Sequence, residues 1–456
     1  MKTLLAFLFF VFFAIPDVLP AQQGEQPTEW KAGVAEVVIT PGNPMWMAGY
    51  GNRNRPSEGT LHDIRAKALA LEDAHGKQAV LITSDLLGVP KAISDRIRDR
   101  LEASFGLTRA QIILNTSHTH SAPVLRDALT DIYPMDDEQL QRVSRYSDEL
   151  EDQIVDLVGE ALHSMQEAQL YSENGVTRFA VNRRNNPAST LRQASQIAGP
   201  SDHAVPVIRV EGKDGETMAI AFGYACHPTV LSHYEWSGDY PGFALLELEK
   251  AYPEATVLFF QGAGADQNPL PRRTVALAEQ YGRSLAAAVQ RVLSEEMQPL
   301  SPELSMAYSE VDLKLNPLPG RTELTRMAEE SSGSEQRWAI RQLGNVERGE
   351  KVRTSYPYPV QIWALGEQPV VSLGGELVVD YAIEIKRIFG QDTFVMGYSN
   401  DVMAYIPSAR ILMEGGYEAD HSQKVYGLPG TWVSTIEAVI MHEIVRLAEQ
   451  AGIGKP

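Results

Sequence analysis

At 456 residues, 44% of them hydrophobic and 22% charged, the chain has enough apolar side chain to bury a large core without covalent staples. Its 59 acidic residues against 40 basic ones leave a formal net charge of −19, which argues against a nucleic-acid partner, since that needs clustered lysine and arginine, and disfavours docking on anionic lipid. The single cysteine, Cys226, excludes an intramolecular disulfide and a four-thiolate zinc site, so a metal would have to be held by histidine, carboxylate or a rarer oxygen donor.

Residues 1–21 read as a secretory signal peptide. Lys2 supplies the positive start, Leu4 to Ile15 the apolar stretch, and Ala21 the small residue before a mature chain beginning near Gln22. The apolar run is shorter than the ~20 residues of a spanning helix, and an uncleaved anchor is the alternative reading. No later segment is apolar enough to cross a bilayer, so the protein is expected to be exported, to a periplasm or beyond. β-Branched runs then predict strands over 33–39, 66–71 and 79–86, followed by a helix over 92–104 that ends before Gly106. A buried strand is predicted over 111–115, and apolar positions three and four apart predict a helix over 147–165. Strands follow over 205–210, 217–224 and 256–260, a helix over 274–293, and strands over 304–313 and 360–365. Residues 321–350, rich in glycine, serine and charge, read as surface helix and loop, and helices over 376–388 and 434–450 close the pattern. This interleaving predicts an α/β protein of mixed β-sheets flanked by helices, in one large domain over 22–456.

The segments with chemistry sit where predicted strands end. Asn115-Thr116-Ser117-His118-Thr119-His120-Ser121-Ala122-Pro123 puts two histidines at alternate positions directly after a strand, where cleft-lining residues gather in α/β folds. The pair reads equally as metal ligands or as hydrogen-bonded loop residues. His227, in Tyr224-Ala225-Cys226-His227-Pro228, follows another strand and is open to the same two readings, while Cys226 beside it reads as core. In Leu373-Gly374-Gly375-Glu376-Leu377 the glycines allow a tight turn, and Glu376 either satisfies a helix start or serves as a ligand. Tyr405 and Tyr417, taken singly, look like half-buried aromatics.

Taken in order, these segments resemble the neutral (alkaline, non-lysosomal) ceramidase family. Residues 32–41 resemble its opening strand, Met47-Ala48-Gly49-Tyr50 the loop after it, and residues 59–68 and Ser84-Asp85-Leu86 the elements that follow. Residues 116–123 match its His-Thr-His-Ser-Gly-Pro signature with Ala122 in place of glycine. Val181-Asn182-Arg183-Arg184 and residues 237–242 match its Asn-Arg and Ser-Gly-Asp segments. The likeness runs from about residue 32 to about residue 430. It implies a neutral-ceramidase-like fold with zinc (Zn2+) held by His118, His227, Glu376 and Tyr405, and with His120, Arg183 and Tyr417 around a scissile carbonyl. Asp85, Asp239 and Asp266 are candidates to orient the histidines.

Two departures qualify what the resemblance implies. Where the family has a serine in a Gly-Asp-Val-Ser-Pro-Asn segment, this chain has Asn268 in Gly264-Ala265-Asp266-Gln267-Asn268-Pro269, which closes an acyl-serine route and leaves attack by a zinc-activated water. Asn268 can still hydrogen-bond a substrate oxygen. The chain also runs only to Pro456, without the β-sandwich domain that follows the catalytic domain of full ceramidases. The expected activity is a zinc-dependent amidohydrolase on an N-acylated, sphingolipid-like substrate. The alternatives are a deacylase or esterase on a sugar or cell-wall fragment, and an inactive secreted binding protein of the same fold. The expected partner is a small N-acyl or O-acyl molecule, lipids included.

Overall fold

In the computed structural model, which describes residues 29–190 and 196–454, the strands Arg65–Glu72, Gln78–Ser84 and Ile112–Thr116 divide their side chains between two cores. Ala66, Ala68, Val80, Ile82 and Leu114 face the helices Lys91–Phe105 and Asp137–His163, whereas Leu69, Leu71, Leu81 and Ile113 face a second sheet. Burial on both faces is why these segments read as unbroken apolar runs. The predicted leader lies outside the described residues, among which no helix is long and apolar enough to cross a membrane.

The larger sheet has the strand order Thr256–Gln261, Thr217–Tyr224, Ala204–Gly212, Gln166–Val176, Trp30–Val38, Arg65–Glu72, Gln78–Ser84 and Ile112–Thr116, with Gln298–Leu300 added on Gln166–Val176. It curls until its two ends meet, where Asn115 Oδ1 accepts from Gln261 N at 2.9 Å. The helices Asp239–Ala251 and Val275–Ser294 cover its other half through Phe222, Leu245, Leu248 and Leu285. A four-stranded sheet of Leu304–Lys314, Ser355–Leu365, Gln368–Leu373 and Phe394–Met396 packs against the inner face, with Trp363, Val370, Phe394 and Met396 meeting Leu258 and Phe260. The helices Val379–Phe389 and Ile436–Gln450 cover its outer face. The result is the expected single domain of mixed sheets between helices, layered helix, sheet, sheet, helix.

Two predicted boundaries move. The helix predicted over 147–165 begins ten residues earlier, as Asp137–His163, because Asp136 accepts from Gln139 N and Asp137 and Glu138 fill the first turn ahead of any apolar stripe. Glu376 does not open a helix. It lies in the two-residue strand Glu376–Leu377, which runs parallel to Tyr405–Ile406, and the helix starts after it at Val379. The strands Gln166–Val176 and Gln368–Leu373 and the helix Asp239–Ala251 are additional to the predicted set.

Candidate metal centre

Several strands from both sheets end at one place. Ile112–Thr116 delivers His118 and His120, Thr217–Tyr224 delivers His227, and Thr256–Gln261 leads to Gly264. From the smaller sheet, Gln368–Leu373 leads to Glu376 and Phe394–Met396 to Tyr398 and Tyr405. The parallel pairing sets Glu376 directly beside Tyr405. The site thus occupies the seam where the two sheets meet, at the carboxyl ends of their strands.

Glu376 Oε2 lies 3.2 Å from Nε2 of His118 and 3.2 Å from Nε2 of His227. His118 Nε2 is 3.4 Å from His120 Nε2, and the Tyr405 hydroxyl is 3.4 Å from His227 Nε2. One nitrogen from each of the three histidines falls within 4.8 Å of the others. His118 adopts a left-handed backbone, φ 63°, a conformation uncommon outside glycine and concentrated at functional sites. The outer nitrogens of His118 and His227 are spoken for. His118 Nδ1 donates to Leu87 O at 2.6 Å and His227 Nδ1 to Gly264 O at 3.0 Å, which turns the Nε2 lone pair of each ring inward.

Burial drives His227 down to about 4 and, with the neighbouring imidazoles, holds His120 well below the ordinary histidine range. Lone pairs therefore converge in a buried space, and Glu376 Oε2 has no hydrogen-bond donor. Such a set is repulsive by itself and becomes stable around a cation, so the residues present fit a metal ion.

Around this ring stand the other residues singled out in the sequence. Arg183 donates from Nη2 to the Tyr405 hydroxyl at 3.2 Å and from Nε to Glu418 Oε1 at 2.9 Å. Burial works against its charge, and Tyr405 and Glu418 prevail to keep it protonated. The Tyr417 ring lies 5.3 Å from that of Tyr405, and burial, then the Glu376 charge, push its phenol up to about 12. Asn268 is buried and accepts from Thr229 Oγ1 at 3.4 Å, beside the Gln267 carbonyl that receives His227 N. Cys226 is a buried free thiol, as a core residue should be.

In sequence, the family model described as neutral/alkaline non-lysosomal ceramidase, N-terminal, matches residues 30–268. The chain belongs to that family. The crystal structure of neutral ceramidase from Pseudomonas aeruginosa superposes with a TM-score of 0.72 at 16% identity, over 92% of this chain and 74% of that one. A ceramidase complexed with C2 gives 0.71 at 16% identity, over 94% and 76%. At that identity the likeness establishes the shared fold. No curated protein matches in sequence.

Three features of this ceramidase-family site are additional to the sequence reading. Tyr426 donates to Glu376 Oε1 at 2.6 Å, Tyr398 packs on His118 with ring centres 4.4 Å apart, and Glu418 bridges Arg183 and Arg184. The three aspartates do not touch the imidazoles. Asp85 accepts from Arg65 N, Asp239 from Leu231 N and Tyr240 N, and Asp266 from Val379 N, so they fix the loops while backbone carbonyls orient the rings.

Proposed function

We propose that this member of the ceramidase family is an exported, zinc-dependent amidohydrolase that cleaves the amide bond of an N-acylated, lipid-like substrate. The observation that carries the reading is the convergence of His118, His227, Glu376 and Tyr405, with two imidazoles turned inward by backbone carbonyls and one carboxylate oxygen left without a donor. Imidazole and carboxylate are ordinary zinc ligands, and a phenol is a weak one that leaves room for substrate oxygen. Zn2+ held there supplies Lewis-acid polarisation of a carbonyl and acidification of water.

The protein's own groups do the rest. His120, neutral and within reach of the ring, accepts a proton from the attacking water and returns it to the departing amine as the C–N bond breaks. Arg183 and Tyr417, both protonated at neutral pH, donate to the oxyanion that develops on the carbonyl, each worth roughly 3 kcal/mol. Asn268 offers an amide to a substrate oxygen and supplies no nucleophile.

His118→Ala and His227→Ala are expected to lose bound zinc by elemental analysis and to lose turnover of N-acyl substrates. Full activity in either variant would end the proposal. The Asn268 departure keeps one second reading in view, a binding protein of the same fold. That reading requires protein purified from zinc-replete cells to carry no stoichiometric metal.

A further inference from the structure

Arginine in this acidic protein is mostly spent on carboxylates, but three arginines beside the candidate centre are not: Arg53 is spent on the carbonyls of Ala48, His120 and His233, which leaves Arg272 and Arg273. Among the described residues, neither Arg272 nor Arg273 has a carboxylate oxygen within 4.0 Å. Arg272 Nη1 instead donates to Thr229 Oγ1 at 3.0 Å and Arg273 Nη1 to the Tyr50 hydroxyl at 2.9 Å. Both partners are neutral, and each guanidinium keeps most of its five N–H donors for something else. Asp239, the acidic side chain felt by Arg272, spends its oxygens on the backbone N–H groups of Val230, Leu231 and Tyr240.

Both anchors lead straight to the reacting groups. Thr229 follows His227 by two residues and also donates to Asn268, while the Tyr50 ring packs on His120 with ring centres 4.7 Å apart. Arg272 is held below the ordinary guanidinium range first by burial, then by the charges of Arg273 and Arg183, so the three cations are close enough to repel. Arg273 has a left-handed backbone, φ 95°, secured by its N–H on Val230 O at 2.7 Å. Arg183 has Glu418 as its partner, whereas Arg272 and Arg273 have no carboxylate in contact, although the chain carries a net charge of −19.

We propose that Arg272 and Arg273 form an oxyanion subsite, and that the substrate is an acyl amide with a carboxylate a few bonds from the scissile carbonyl, of the N-acyl amino acid type. The substrate half of this rests on the hydrolase reading above. A planar guanidinium fork matches a carboxylate, whereas a neutral sphingoid amide offers it nothing. The spacing of one tyrosine ring between Arg273 and His120 sets the carboxylate near the amide, not at the far end of an acyl chain.

The test uses the zinc-loaded full chain with N-lauroylglycine, its neutral counterpart N-lauroylglycinamide, and N-lauroylphosphoethanolamine. The acid is expected to exceed the neutral amide in kcat/KM by about ten-fold or more, through KM, as charge-assisted hydrogen bonds imply. In the double variant Arg272→Gln, Arg273→Gln that ratio should fall toward one, and the Lys, Lys variant should restore part of it. A phosphate substrate preferred over the glycine one supports the same subsite with a tetrahedral oxyanion. Equal turnover of acid and amide by the wild type, or an unaltered ratio in the double variant, overturns the inference and leaves the hydrolase reading standing. If no acyl compound is cleaved, the hydrolase reading fails, and calorimetric binding of acid and amide to the same proteins decides the subsite. A preference for the acid that vanishes in the double variant upholds it, and equal binding overturns it.

Discussion

Gly49 has φ 100°, a backbone that side chains rarely adopt, and a Cβ there would overlap the His120 ring. Gly49→Ala should therefore push His120 off its position while leaving the fold intact. A displacement near 1 Å costs on the order of 10²-fold in rate, so kcat should fall by about that much with bound metal retained. An unchanged kcat would remove His120 from the proton transfer. Tyr426→Phe tests the other side of the ring by deleting the hydrogen bond to Glu376 Oε1. Loss of such an outer partner typically weakens a metal about 10–100-fold, readable by chelator competition. Of the residues that meet at the ring, His118, His227 and Glu376 stood out in the sequence because they follow predicted strands or a glycine turn, whereas Tyr405 was marked only by the order of segments that resembles the ceramidase family. Tyr426, 50 positions beyond Glu376, had no such marker. The carbonyls of Leu87 and Gly264 could not be read either, since every residue has one and only the fold selects which meets a histidine.

Among the elements, the segment Tyr417–His421 is one wide π-helical turn, a form often found at functional sites. It is pinned from outside by Glu418, whose two oxygens take Arg183 and Arg184 at 2.8 and 2.6 Å. Those arginines follow the short strand Ala180–Asn182, so a single carboxylate couples two chain segments and aims Arg183 at Tyr405. Glu418→Gln keeps the shape but removes the charge. It should cost about 2–3 kcal/mol in denaturant unfolding, because buried charges lose their partner. It should also lower kcat/KM by about ten-fold as Arg183 loosens, and activity equal to wild type would make the pair purely structural. Element type was legible wherever apolar spacing was clean, as in Thr217–Tyr224 and Val275–Ser294. It failed where pairing across the chain decided the matter. Glu376 looked like a helix start because the helix is three residues away, and its pairing with Tyr405 depends on a partner strand that sequence spacing does not reveal.

For the whole molecule, the alternation of sheet and helix could be read from the chain, but the full set of strands and the facing of the two sheets could not. Both faces of the central strands are equally apolar, so nothing local says which side meets a helix and which a sheet. Loops at the strand ends also bury carboxylates. Burial raises Asp85, Asp239 and Asp266 to about 6 and Asp401 to about 7, the last despite a hydrogen bond from the Tyr356 hydroxyl at 2.7 Å. Asp401 Oδ1 has no hydrogen-bond donor at all. An unfolded aspartate releases its proton near pH 3.9. Between there and about pH 7 the folded protein holds more protons than the unfolded chain, so each rise in pH through that window removes stability, and the loss levels off above the folded value. For Asp401 the total is on the order of a few kcal/mol. Asp401→Asn keeps an acceptor for Tyr356 and abolishes the ionisation. Urea unfolding of both proteins across the window should show similar stability near the acid end, a shallower fall for the variant, and a variant more stable than wild type above about pH 7. A wild type and variant that fall in parallel would mean that Asp401 is ionised in the fold and that the charge is balanced by a neighbour, with Lys91 the first to examine.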